Sequence, residues 1–449
     1  MPSPIFLFFF AFLTISLASG LVYGFPALRR LLILEETSLS EKDLGIIFTI
    51  GSWCVQGGRF FSGIARDRYF GTRKTTAFCL FATAMGCTGL AFCNESSLGL
   101  LSFSFFLVGI GSGSQLCLQP VAGLFRKSIQ GAILASFSGA FQVSGLVFLV
   151  LTKITERRSW GLGIFAIVLM GFVIVSLQIL PVENFDSYHE EEKVPQEETP
   201  RLRNSNNVSN SDGKDEEQHI QHEEEKEEDR SEESLQNSFH EEEEGIKEES
   251  EEDLEKKGVM HLIKSKEYIL LLIWFSSLLV PLQYYVATIG FQLERKGDTD
   301  GKYTALFSIL YASAAILAPF FGKIADAFGL GIGQSLATIL TSCSMFILSS
   351  SNIALNSHII GLTLYGIGRM ITFGLFFTNI GKRFGFEFYG TLAGLGLLIS
   401  SIFGNLQYPL IALAVDGHEK IVNIACGAFL LLQGLPYCYW LNRIERKEK

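Results

Sequence analysis

Apolar positions fall in long blocks separated by short polar stretches. The first runs over 5–25 without a charge, since Arg29 is the first charged residue in the chain. Five more follow at about 44–64, 75–93, 98–120, 129–151 and 161–180. After a polar interruption come six others, at about 267–290, 303–322, 331–350, 357–380, 389–413 and 421–441. About 20 apolar residues cross the ~30 Å bilayer core as a helix. The pattern therefore predicts an all-α membrane protein with twelve transmembrane helices, six on either side of the interruption. The first block has no positive charge ahead of it and exceeds a secretory h-region, so it reads as a span and not a signal peptide. Gly and Ser recur inside the blocks, as in Gly109-Ile110-Gly111-Ser112-Gly113-Ser114. Small residues let helices approach closely in lipid, which predicts a packed bundle.

Charge sharpens the division. The 449 residues carry a net charge of −10, yet 181–260 alone holds 29 acidic and 9 basic residues, leaving the remainder at +10. That Glu/Ser/Asn/Gln-rich segment cannot bury enough apolar area to offset ordering entropy. It is expected to be a disordered cytoplasmic linker between an N-terminal half, 1–180, and a C-terminal half, 261–449. Its histidines (His189, His219, His222, His240) read as part of a solvated tether. No basic stripe supports nucleic-acid binding. The eight cysteines lie in or beside apolar blocks without metal or disulfide spacing, so they are expected to be packing residues. No cofactor is expected. An enzyme is not expected either, for want of a nucleophile–base constellation; the stretch Gly329-Leu-Gly331-Ile-Gly333 lacks the strand a dinucleotide site needs. The sequons at Asn94 and Asn207 are expected to be unused.

Between the second and third blocks stands Gly63-Ile-Ala-Arg66-Asp67-Arg68-Tyr-Phe-Gly71-Thr-Arg73-Lys74. It resembles the cytoplasmic loop signature of the major facilitator superfamily. Six blocks later Gly322-Lys-Ile-Ala-Asp326-Ala-Phe-Gly329 reads as a degenerate copy. Such an internal repeat is what two related halves produce. The resemblance implies the major facilitator fold, with both loops acting as a cytoplasmic gate and both termini cytoplasmic. Counting Lys and Arg, about thirteen fall on that side in short loops and tail against about ten opposite, a thin margin in the same direction.

Further strings resemble the large-neutral-amino-acid transporter branch of that superfamily. They are Ser19-Gly-Leu-Val-Tyr23-Gly-Phe-Pro-Ala-Leu28, Ser138-Gly-Ala-Phe-Gln142-Val-Ser144, Leu282-Gln-Tyr284-Tyr285-Val-Ala-Thr288, Phe384-Gly-Phe-Glu387-Phe-Tyr-Gly390-Thr-Leu and Gly404-Asn405-Leu-Gln407-Tyr408-Pro409-Leu. What they imply is sodium-independent facilitated diffusion or exchange of neutral, large or aromatic amino acids. The branch also includes an equilibrative nucleobase transporter, and a non-transporting membrane sensor is a third reading. The implied partners are a small-molecule substrate and the lipid bilayer of the plasma membrane or an organelle, with a monomer expected.

Ionisable groups inside a bilayer are costly and mark function. No Asp or Glu falls near the middle of a block, which favours a uniporter or exchanger over a proton symporter. Arg369 falls ~18 Å into the tenth block, close to mid-bilayer. There it could clamp a carboxylate or hold helices together. Arg59 lies nearer the cytoplasmic end of the second, where it could snorkel to water, and the same two readings, substrate contact or helix packing, stand for it. Tyr23, Ser138, Gln142, Tyr284, Tyr285, Asn379, Asn405 and Gln407 complete the candidate substrate path. The many Phe residues read as lipid-facing bulk.

Overall fold

The computed structural model describes residues 2–155, 157–182, 258, 260–350, 354–384 and 389–448. The expected acidic linker falls almost wholly outside them. All regular structure among the described residues is helical.

The first crossing pairs α1 (Pro4–Ala18) with α2 (Phe25–Leu34). Next come α3 (Glu41–Ile64), α4 (Gly71–Phe92), α5 (Leu98–Ile110) continued by α6 (Gly113–Leu118), α7 (Lys127–Val143) continued by α8 (Val147–Ile154), and α9 (Arg158–Ile179). The C-terminal half holds α10 (Lys266–Arg295), α11 (Lys302–Ser313) continued by α12 (Ala318–Phe328), α13 (Leu330–Ser349) and α14 (His358–Phe384). It ends with α15 (Tyr389–Gly404) continued by α16 (Gln407–Leu413), then α17 (Glu419–Glu448).

Among the described residues, nine helical stretches are long and apolar enough to cross a bilayer, or ten when the bent α1–α2 pair counts as one. Two of the nine, Glu41–Phe92 and Tyr389–Lys447, are 52 and 59 residues long. A straight helix of that length would exceed twice the ~30 Å core. Each instead turns back at a glycine in the left-handed region, Gly71 (φ 68°) and Gly417 (φ 95°). Each is thus a hairpin of two crossings, and the bundle has twelve in two sets of six.

One boundary differs from expectation. The first crossing is not a straight 5–25 helix but bends by 44° and continues to Leu34. A tight turn over Leu21–Gly24 separates its arms, with Pro26 opening the second. The bend lets α7 come close, since a Cβ on Gly20 would lie 2.1 Å from the Phe141 carbonyl oxygen.

The halves meet along two seams, α3 on α15 and α7 on α12 and α14. Small residues make the close approaches. A Cβ on Gly57 would stand 2.9 Å from Ser401 Oγ, and one on Gly139 3.1 Å from the Ala315 carbonyl oxygen. With no hydrophobic effect between helices in lipid, such packing supplies much of the association. Large apolar side chains such as Phe9, Phe78, Ile167 and Ile316 face outward instead.

Candidate functional site

Where the seams meet at mid-depth the interior turns polar. Arg369 projects from α14 and is 1% exposed. Its guanidinium carbon lies 3.9 Å from the ring centroid of Tyr23, which belongs to the opposite half, and 4.9 Å from that of Phe373. Its Nε donates to the Tyr311 hydroxyl (3.1 Å) and Nη1 to the Tyr365 hydroxyl (3.4 Å). Nη2 is buried without a hydrogen-bond partner. Tyr365 precedes Arg369 by one helical turn and therefore shares its face.

Arg59 does not snorkel. It is 1% exposed because its helix is covered by α5, α6 and α15. Nη2 donates to Gln115 Oε1 (2.8 Å), and the guanidinium carbon lies 4.6 Å from the Phe141 centroid. Its Nε and Nη1 have no partner. The Tyr23 and Phe141 rings are 5.5 Å apart, so the two arginines bracket one aromatic pair. Among the described residues no carboxylate pairs with either guanidinium.

The Tyr23 hydroxyl joins the halves. It accepts from Gln56 Nε2 of α3 (2.9 Å) and Gln283 Nε2 of α10 (2.7 Å). Both its lone pairs are used, which leaves its proton to donate. The side-chain oxygens of Gln56, Gln142 and Gln283 are buried acceptors without donors.

The charge at this centre is only partly compensated by its surroundings. An uncompensated buried charge costs several kcal/mol even after relaxation, whereas a desolvated cation–π contact contributes about 2 kcal/mol. The rings offset only part of that cost, and a negatively charged group would supply the remainder.

The remaining path candidates scatter around this centre. Gln142 Nε2 donates to the Gly366 carbonyl (3.3 Å) and Gln407 Nε2 to Ser52 Oγ (2.7 Å), each across the seam. Ser138 donates within its own helix to Leu134 (3.2 Å). Tyr285 stacks on Tyr365 at 4.1 Å, one layer from the arginine. Tyr284 points elsewhere, accepting from Gln292 (3.2 Å) in a separate cluster with Thr288 and Asn423. Asn379 is buried further along α14, while Asn405 is exposed where α15 breaks before α16. Sequence reasoning missed Gln56, Gln115, Gln283, Tyr311 and Tyr365. Only the spacing of Tyr365 from Arg369 and the place of Gln283 within a quoted string could have signalled them. It also read the Phe residues as lipid-facing bulk; in the interior Phe373 instead joins Tyr23, Tyr311 and Tyr365 around a cation, because burial removes the water that would otherwise solvate it.

One end of the bundle carries the gate candidates. Asp67 accepts from Arg66 (2.6 Å), and its second carboxylate oxygen would lie 2.6 Å from a Cβ on Gly390 of the other half. Gly63 also approaches the Gly390 carbonyl. Arg73 donates to the Leu180 carbonyl (2.5 Å), while Arg68 and Lys74 are exposed. Gly322 packs on Gly131 and Ala135 of α7. Gly329, with φ 99°, opens α13, whose first amides donate to Glu445. The Asp326 side chain lies outside the described residues.

At the opposite end Arg29 donates to both Glu41 oxygens (2.9 and 2.5 Å) and both Glu294 oxygens (2.8 Å each). This joins α2, α3 and α10 across the seam. Lys42 pairs with Asp416 beside it (2.9 Å).

Two six-helix halves closing on a charged polar centre, with cross-half contacts at either end, are the architecture of a membrane transporter. The family model described as Major Facilitator Superfamily matches residues 5–406, and the chain belongs to that superfamily. No curated protein matches it. Solved structures share the fold at low identity. A POT family transporter in complex with 5-aminolevulinic acid is 15% identical with a TM-score of 0.66, over 98% of this chain and 96% of that one. The human organic anion transporter MFSD10 (TETRAN) is 14% identical with a TM-score of 0.59, over 97% and 100%. The proton:xylose symporter XylE, bound to 6-bromo-6-deoxy-D-glucose, is 14% identical with a TM-score of 0.62, over 96% and 95%.

Proposed function

We propose that this transporter carries a small solute bearing a carboxylate, and that neutral amino acids, large or aromatic ones above all, are its class. The observation that carries the proposal is Arg369, buried on the face of Tyr23 with Nη2 unpartnered. A guanidinium is the side chain best suited to grip a carboxylate. The donorless oxygens of Gln56, Gln142 and Gln283 suit the ammonium of the same zwitterion. A nucleobase offers no anionic group and would leave both arginines uncompensated.

In this reading the halves rock about the Arg369–Tyr23 contact as a monomer in the plasma membrane or an organelle membrane. The Asp67 end is cytoplasmic and the Arg29 end faces the other side. Transport is facilitated diffusion or exchange, independent of sodium and of a pH gradient.

Proteoliposome uptake tests it. Leucine and phenylalanine are expected to enter, with 3-phenylpropionate competing better than phenethylamine and adenine not competing. Competition by phenethylamine alone would remove the carboxylate clamp. Uptake of adenine alone would move the protein to the nucleobase reading. Uptake of none of them, by protein that is folded, would favour the sensor.

A further inference from the structure

One carboxylate at Arg369 leaves a second buried cation unexplained. We propose that Arg59 is a second anion position, so that the loaded site holds two negative charges at once. This rests on the reading that Arg369 grips a carboxylate.

Arg59 differs from the arginines that hold this bundle together. Arg158 donates Nη1 to the Leu90 carbonyl (2.7 Å) and Nη2 to the Cys93 carbonyl (2.9 Å). Arg295 likewise donates to the carbonyls of Ala414 (2.9 Å) and Val415 (2.7 Å), and Arg29 has two carboxylates. Those guanidiniums are anchored on backbone or acid. Arg59, as deeply buried as Arg29 and far deeper than the exposed Arg295, has one neutral amide oxygen and one phenyl face, with two of its three nitrogens unpartnered. A fixed clamp gains nothing from unpaired buried donors, since each costs its desolvation.

Its placement fixes what the second group must be. Arg59 and Arg369 come from different halves and bracket the Tyr23–Phe141 pair, close enough for their charges to interact. Like charges buried together repel strongly, because interior screening is weak. A zwitterion at Arg369 leaves the net charge of the pair unchanged. Giving each guanidinium an anion of its own requires a second negative group, from one of two sources. It is a second acidic group on the solute, or a small inorganic anion such as chloride that binds with a neutral amino acid. Either way the second anion draws the halves together, because each arginine belongs to one of them.

Thermal melting of the purified full-length chain in detergent reads binding without needing transport, since a ligand that prefers the folded state raises Tm. The probes are leucine, succinate and sodium chloride, each added to a low-salt buffer free of carboxylate and halide. For wild type, succinate, or leucine with chloride, is expected to raise Tm by about 2 °C or more beyond leucine alone. A succinate effect assigns the second charge to the solute, and a chloride effect assigns it to a free anion. Arg59→Gln is expected to lose that extra shift. Arg59→Lys keeps the charge, guards against a folding failure, and should need about ten-fold more of the second anion for the same shift. Arg369→Gln should lose the leucine shift. If it responds to leucine like wild type, the carboxylate reading falls while the Arg59 response is read separately. An extra shift retained in full by Arg59→Gln overturns the inference, as does a wild type that responds to neither succinate nor chloride.

Discussion

The Arg369 guanidinium lies 3.9 Å over the ring of Tyr23, so a cation of the C-terminal half rests on an aromatic of the N-terminal half. Any motion that separates the halves at this depth must break the contact, and any anion bound to Arg369 is felt by both. Arg369→Lys keeps the charge but loses the planar fork and the stacking face. Leucine uptake in proteoliposomes is expected to fall at least about ten-fold, a loss of ~1.4 kcal/mol or more, with Tm nearly unchanged. Uptake equal to wild type would show that the carboxylate is gripped elsewhere.

Tyr23→Phe separates the ring from its hydroxyl. The stacking face for Arg369 survives, while Gln56 and Gln283 lose their shared acceptor. Buried donors left unpaired cost about 1–3 kcal/mol each. The variant is expected to melt several degrees lower and keep measurable uptake, whereas Tyr23→Leu should lose both.

Arg29 bridges Glu41 of its own half and Glu294 of the other. Glu294→Gln removes the cross-half charge but leaves Arg29 paired with Glu41. Both glutamates are about one-third exposed, so screening keeps the stability cost near 1 kcal/mol. The larger effect is expected on conformation. Spin labels at the exposed Ser38 and Asp300 should report longer separations in Glu294→Gln than in the parent. Identical distance distributions would mean that this ion pair does not hold that end closed.

Gly57 lets α3 lie directly against α15, with room for nothing larger before Ser401. Gly57→Leu would overpack that seam at a cost of about 1–3 kcal/mol. The closed Asp67 end is the part that yields. Labels at Tyr69 and Lys382 should move apart and leucine uptake should be lost, while the protein still inserts and melts cooperatively. Unchanged separation would show that the seam does not close this end.

The acidic run needs its own test. Removing 190–255 is expected to leave uptake and Tm largely unaltered, because a Glu/Ser/Asn/Gln-rich stretch carries too little apolar area to contribute a core. Loss of both in the deletion would make it part of the folded transporter.

By itself the sequence determined the number of crossings and their grouping in sixes. The bilayer imposes a length and an apolarity on every crossing, and both can be counted along a chain. It also marked Arg369, since a charge in the middle of an apolar block is visible without a structure. The bend after Ala18 was not legible, because Gly20 and Gly24 permit a straight helix as well as a broken one; the approach of α7 selects between them. Nor was the surrounding of Arg369. Tyr23, Tyr311 and Tyr365 are polar-tipped aromatics in apolar blocks, as are several others, and only packing brings these three to one guanidinium. The same holds for Arg59, whose depth in α3 suggested an escape to water that α5, α6 and α15 close off. Arg29 and Glu294, 265 residues apart, looked like ordinary loop charges. Hydropathy is a local property, and the membrane reads it locally. Which charges meet depends on how helices from two halves are set side by side, and that only the tertiary structure decided.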